Sequence, residues 1–172
     1  MDRPNWHQYF MTIAHDVATR ATCTRPGRHV GCVITRGRRI LATGYNGAAS
    51  GSKHCSELGC IREQRAIPSG QRAELCRGLH AEQNAILQAA ENGTPIAGGV
   101  MYNTHSPCSI CLKLIINSGV ELVIFDQQYP DELAEQIAAE CGWNWKWGLG
   151  MVGKFDAVTK FINVSGGKSW RD

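Results

Sequence analysis

His80-Ala81-Glu82-Gln83-Asn84-Ala85-Ile86, followed by Pro107-Cys108-Ser109-Ile110-Cys111, marks two helix starts around which the rest of the chain can be placed. Cys108 and Cys111 stand at i and i+3 of a predicted helix, so both thiols reach one tetrahedral ion from one face, and the helix N-terminus favours their thiolate forms. His80, at the start of the preceding helix, supplies a third ligand. Residues two apart do not share a face of a regular helix, which leaves Glu82 outside the ligand set and above the metal. Three protein ligands leave a fourth position for water, the mark of a catalytic zinc rather than a closed structural one. Zinc brings the pKa of bound water to about 7, and a carboxylate beside it can take up and relay the released proton. Glu82 is the expected shuttle. Pro107 suits the first turn of the second helix, where a missing N–H is harmless. A C-x-x-C alone is a weak pattern; joined in this order to His80 and Glu82 it points to a hydrolytic metal centre.

Working outward, apolar residues from Trp6 to Ala18 recur at helical spacing and predict a first amphipathic helix. Val30 to Thr35 and Ile40 to Tyr45 read as a hairpin joined by the basic turn Arg36-Gly37-Arg38-Arg39. Residues 46–79 form a cysteine-rich insertion with little periodicity, long enough to need something that holds it together. Beyond it the expected order is a helix from His80 to Glu91, a strand from Val100 to Thr104, a helix from Cys108 to Asn117 ended by Gly119, and a strand from Glu121 to Phe125. After Pro130 comes a helix with Leu133, Ile137 and Cys141 on one side, stopping at Gly142. Trp143-Asn144-Trp145-Lys146-Trp147 then alternates as a last strand whose tryptophans pack on a helix or a neighbouring subunit. This pattern predicts one α/β domain over residues 1–147, a three-layer α/β/α sandwich with a mixed five-stranded sheet. Residues 148–172 are left as a C-terminal tail of unassigned role. Cys32 and Cys141 are expected in the core.

The chain has 172 residues, 43% hydrophobic, enough for one core of ordinary size. A net charge of +3 with both signs scattered falls short of the basic stripe of a nucleic-acid binder, so a small anionic ligand is expected. The start, Met1-Asp2-Arg3-Pro4-Asn5-Trp6, lacks the apolar core of a signal peptide, and no run approaches a membrane span; the expected location is the cytoplasm. There the eight cysteines suit metal ligation or burial better than disulfides.

H-x-E with P-C-x-x-C is the signature of the zinc nucleobase deaminases. With His29-Val30-Gly31-Cys32-Val33-Ile34, Ile40-Leu41-Ala42-Thr43-Gly44-Tyr45-Asn46-Gly47, Leu114-Ile115-Ile116-Asn117-Ser118-Gly119 and Tyr129-Pro130-Asp131, the sequence resembles the deoxycytidylate (dCMP) deaminase family of the cytidine deaminase superfamily from about Trp6 to Trp147. It is similar in particular to the bacterial late-competence-operon type. The resemblance implies deamination of dCMP to dUMP, the precursor of thymidylate, in a dimer or hexamer. Glu82 would protonate N3 as C4 is attacked and then deliver a proton to the departing ammonia. Asn46 is implied at the sugar, Tyr129 beside the base, Ala81 and Pro107 along the substrate, and Arg25 and Arg28 at the phosphate. Pro26-Gly27 alters the family's local spacing there, and His29 stands where glutamine is frequent. Many family members bind dCTP and dTTP as effectors.

The resemblance also implies a structural zinc held by Cys23, Cys55, Cys60 and Cys76, with His54 or Glu57 able to replace one of them; four thiolates would close the site and pin the insertion. Other readings stay open: a deaminase of dCTP or of a modified dCMP, a tRNA adenosine deaminase, or a non-catalytic zinc module that binds nucleic acid or protein.

Overall fold

The computed structural model describes residues 3–68, 71–129, 131–146, 150–154, 156–158 and 171. Helix α1 (Trp6–Ala18) is opened by Asn5, whose side chain accepts from the His7 and Gln8 N–H groups while Gln8 reaches back to the Asn5 N–H. This reciprocal cap satisfies donors that a helix start otherwise leaves orphaned. The 3.6-residue period gathers Phe10, Met11, Ala14 and Ala18 on its buried face.

Strands β1 (Gly31–Arg36) and β2 (Arg39–Tyr45) form the expected hairpin, and β5 (Val100–His105) pairs antiparallel to the other edge of β1. Helix α5 (Ser109–Asn117) crosses to β6 (Leu122–Gln127), which runs parallel to β5. Helix α6 (Glu132–Glu140) leads into β7 (Trp143–Lys146), the far edge. The sheet is mixed, ordered β2-β1-β5-β6-β8-β7, where β8 is Met151–Lys154. One layer is α1, packed through Phe10 and Met11 onto Val33, Tyr102 and Ile124. The opposite layer is α4 (Ala81–Glu91), α5 and α6, whose buried faces meet Ile34, Met101, Val123 and Phe125. The expected three-layer α/β/α architecture is the one observed.

Three sequence expectations are corrected. The sheet has six strands, not five, because β8 (Met151–Lys154) inserts between β6 and β7. Met151 and Val152 are fully buried there, so residues read as the start of a tail belong to the central sheet. Cys141, expected in the core, is exposed at the C-cap of α6, and Leu133 is 52% exposed. Helix α6 is buried through Ala134 and Ala138, with Ile137 partly covered: small side chains let the helix approach closely and leave the larger Leu133 outside. Pro107, placed by its sequence position inside the first turn of α5, instead precedes the N-cap, which is Cys108.

Trp143 is buried and Trp145 packs beside Phe125, their ring centroids 6.3 Å apart; Trp147 lies outside the described residues. The insertion is closed at its base by a two-stranded ribbon, β3 (Gly47–Ala48) with β4 (Gly78–Leu79). Between them lie the short helices α2 (Cys55–Leu58) and α3 (Ile61–Gln64) and a 3-10 turn over Ala73–Leu75, so the insertion has local structure that its sequence did not reveal. Among the described residues no helix is long and apolar enough to cross a membrane.

Candidate active site

His80 is the N-cap of α4 and Cys108 the N-cap of α5, so both helices start at the same place. Helix α4 is fixed on β2 by three contacts. The Asn84 amide donates to the Tyr45 carbonyl (2.7 Å), Gln88 Oε1 accepts the Thr43 N–H (2.8 Å), and Gly44 lies directly beneath Ala81 and Ala85. A Cβ on Gly44 would sit 2.2 Å from the Ala81 carbonyl oxygen, so only glycine permits this approach. At the other helix, Asp131 accepts from the Ser109 N–H through one oxygen and from the Ala134 N–H through the other, joining the starts of α5 and α6 (2.9 and 3.0 Å).

The Nδ1 of His80 lies 3.2 Å from Sγ of Cys111 and 3.4 Å from Sγ of Cys108, and the three donor atoms lie within 4.8 Å of one another. Zinc bond lengths of about 2.0–2.1 Å to nitrogen and 2.3 Å to sulfur, at tetrahedral angles, require N and S roughly 3.5 Å apart. The donor set therefore fits one zinc ion. The thiol of Cys111, with His80 assisting, holds Cys108 down to about 4, while the hydrogen bond to Cys108 raises His80 to about 9. The same thiolate and burial push Cys111 well up. A bound cation replaces these shared protons, so loading the site releases them.

Glu82, on the first turn of α4, is only 4% exposed, and burial raises its pKa, opposed by the charge of His80. The nearby Cys111 thiol also acts to lower it. A carboxyl held above its usual range beside a metal-binding triad is suited to taking and giving protons near neutral pH.

The site opens into a solvent-connected cavity, whose empty space together with the open solvent at its mouth is about 930 Å3. Of the residues singled out from the sequence, Arg25, Arg28, Asn46, Ala81, Glu82 and Tyr129 line it; Pro107 does not, being buried behind the N-cap of α5. Pro26-Gly27 proves to be a tight turn. Gly27 takes φ +65° and the Arg28 N–H bonds the Arg25 carbonyl (3.2 Å), which brings both arginines to the same wall. Asn46 holds that turn in place: its amide donates to the Arg28 carbonyl and accepts from the Val30 N–H, both at 2.8 Å. One donor and one acceptor position of the amide remain beyond these bonds. Tyr129 is pinned by Ser106, whose hydroxyl accepts its N–H (2.7 Å) and donates to its carbonyl (3.1 Å), and the Arg28 guanidinium lies 5.7 Å from the centre of its ring.

Arg62, His105 and Ser106 also line the cavity and were not singled out from the sequence. His105 and Ser106 adjoin Pro107-Cys108 and could have been found by proximity; Arg62 lies in the insertion and carries no sequence signal of its own. Cys23, Cys55, Cys60 and Cys76 converge on the same cavity, close enough that Cys55 feels the other three thiols and Cys23 feels Cys76 and Cys60, although burial is the main cause that raises both. Among the described residues, however, the one group of three donors close enough to share an ion is His80, Cys108 and Cys111.

Two helix starts that pool a histidine, two cysteines and a buried carboxylate beneath a cavity lined by arginines place the molecule among the zinc-dependent deaminases. Residues 4–127 match the model of the cytidine and deoxycytidylate deaminase zinc-binding region, and the chain belongs to that family. It is 40% identical over 143 residues to ComE operon protein 2 of Bacillus subtilis, spanning 83% of this chain and 70% of that one. Over 133 residues it is 38% identical to the deoxycytidylate deaminase of Mycobacterium phage D29, spanning 74% of this chain and 99% of the phage protein. The crystal structure of dCMP deaminase from the cyanophage S-TIM5, in complex with dCMP and dUMP, superposes with a TM-score of 0.63 at 26% identity, covering 83% of this chain and 96% of that one.

Proposed function

We propose that this chain hydrolyses dCMP to dUMP and ammonia, supplying dUMP for thymidylate synthesis. The observation that carries the reading is the buried Glu82 carboxyl beside the His80, Cys108 and Cys111 donors, on the wall of a cavity that also holds Arg25 and Arg28. Zinc, when bound, supplies Lewis acidity that makes water a nucleophile near neutral pH. Glu82 takes the proton from the attacking water and passes it to N3 of the cytosine. As the C4–N bond breaks, a second proton moved by Glu82 leaves with the amino group as ammonia, and C4 keeps the water oxygen as the carbonyl of uracil. Tyr129 lies beside the base, Ala81 and Asn46 border the base and sugar, and Arg25 and Arg28 take the phosphate through charge-assisted hydrogen bonds. Glu82 gives the metal centre a proton-handling group that a purely structural zinc module has no use for.

The convergence of Cys23, Cys55, Cys60 and Cys76 supports a second, structural zinc that ties the insertion to the domain once the thiols close around it. Assembly into a homo-oligomer is supported by Leu87, Leu114 and Leu133, exposed on α4, α5 and α6. The family reading is the support for dCTP and dTTP as candidate effectors and for a cytoplasmic location. The deciding experiment incubates purified, zinc-loaded protein with dCMP, dCTP, deoxycytidine and a tRNA anticodon stem and measures ammonia release. Rapid release from dCMP alone is expected, and Arg28→Ala should narrow the preference for dCMP over deoxycytidine. Equal turnover of deoxycytidine, or reaction with tRNA only, overturns the proposal.

A further inference from the structure

Arg62 reaches the cavity from helix α3, within the cysteine-rich insertion and two residues after Cys60. One end of its guanidinium donates to the Pro68 carbonyl (2.9 Å), which fixes the orientation of the planar group. Its Nε–H is buried and has no hydrogen-bond partner. Among the described residues no carboxylate lies within ion-pair distance of it, whereas Arg25, on the same cavity wall, is balanced by Glu63 at 3.7 Å. Arg28, whose guanidinium lies 5.7 Å from the centre of the Tyr129 ring, and Arg62 line this same cavity.

A buried N–H without an acceptor is uncommon in a folded protein and marks a place where a ligand atom belongs. The charge says which kind of atom. Arg25, Arg28 and Arg62 bring three guanidinium groups to one cavity, and of these Arg25 has Glu63 beside it while Arg62 has no carboxylate at ion-pair distance among the described residues. A phosphate monoester carries about −1.5 to −2 near neutral pH and presents three acceptor oxygens, which matches both the charge and the open donor. A neutral nucleoside satisfies neither.

We infer that Arg62 is a specificity-determining contact to the 5′-phosphate of the nucleotide, its free Nε–H donating to a phosphate oxygen. The assignment rests on the deaminase reading above and deepens it: the insertion supplies part of the phosphate subsite. Arginine is required because its planar fork can hold the Pro68 carbonyl and the phosphate at once, whereas a lysine ammonium is a single point of charge.

The test compares zinc-loaded wild type, Arg62→Ala and Arg62→Lys for kcat/KM on dCMP and on deoxycytidine. Calorimetric binding of dUMP and of deoxyuridine gives a readout that needs no turnover. Arg62→Ala should lower kcat/KM for dCMP by about ten- to a hundredfold, the effect of losing one charge-assisted hydrogen bond, and leave deoxycytidine within about twofold. Affinity for dUMP should fall in parallel while that for deoxyuridine holds, and Arg62→Lys should restore only part of the loss. If Arg62→Ala fails to fold, Arg62→Lys carries the same comparison, since it keeps the charge and the aliphatic stem. Equal losses on the phosphorylated and unphosphorylated compounds, or no loss on either, overturn the assignment. A wild type that deaminates neither dCMP nor deoxycytidine overturns the deaminase reading itself. A wild type that prefers dCMP by a ratio both variants leave unmoved overturns only the role of Arg62.

Discussion

His80 Nδ1 and Cys111 Sγ, thirty-one positions apart in the chain, lie 3.2 Å from each other because two helices start at one point above the sheet. That separation matches the N-to-S edge of a tetrahedral zinc site, and with Cys108 it leaves one coordination position for water. Cys108→Ala should therefore remove about one zinc per chain and abolish turnover while the protein stays folded. Cys60→Ala should spare the catalytic ion and lower the melting temperature by loosening the insertion. Metal analysis and thermal denaturation read both outcomes. Fully loaded wild type should hold two zinc ions per chain, and a content of one removes the structural site from the proposal.

Glu82→Gln keeps the volume and polarity of the buried side chain and removes its capacity to carry a proton. Zinc content and dUMP affinity should persist, and kcat should fall by at least about 10²–10⁴-fold, the usual worth of general acid–base catalysis. Steady-state ammonia release combined with metal analysis is the check. Turnover near that of the wild type excludes the proton relay.

Gly44→Ala tests the seating of α4. The added methyl would meet the Ala81 carbonyl oxygen at 2.2 Å and the Ala85 nitrogen at 2.4 Å, both backbone atoms that cannot swing aside. A loss of stability of about 1–3 kcal/mol or more is expected from such overpacking, together with a loss of activity, because the same turn of helix carries Glu82. Denaturant unfolding measures the first and a dCMP assay the second.

His7 gives the acid limb of stability a named contributor. It bonds the Tyr102 hydroxyl (2.9 Å), and burial lowers its pKa below the usual 6.5. Protonation is then easier in the unfolded chain than in the folded one, so the contribution of this histidine is complete above about pH 6.5 and is lost as pH falls toward its depressed value. Melting temperatures recorded between pH 8 and pH 5 should decline less in His7→Gln than in the wild type. Parallel curves would remove His7 from the acid response.

The legible parts of the sequence were those in which one local rule governs. Helix α1 runs over Trp6–Ala18 as its periodicity predicts, and the hairpin of β1 and β2 falls within one residue of its expected bounds, because apolar spacing and a glycine turn decide both. Strand β8 was hidden: four residues after a glycine-rich stretch carry too short a pattern to be told from a tail, and only their pairing with β6 and β7 makes them a strand. Leu133 and Cys141 misled for a related reason. Hydrophobic character marks what can be buried, but close packing through Ala134 and Ala138 decided which side of α6 turns inward.

The same division runs through the site. The sequence alone determined the ligand types, their spacing and the carboxylate among them, since zinc chemistry admits few donor sets and H-x-E with P-C-x-x-C states one of them in linear order. Only the tertiary structure decided which charges share the cavity with that chemistry. Arg25 and Arg28 arrive through a turn held by Asn46, and Arg62 arrives from an insertion whose ends are paired by β3 and β4. Electrostatic and hydrogen-bonding partners are set by distance in space, and for Arg62 nothing in the linear order of the chain encodes that distance.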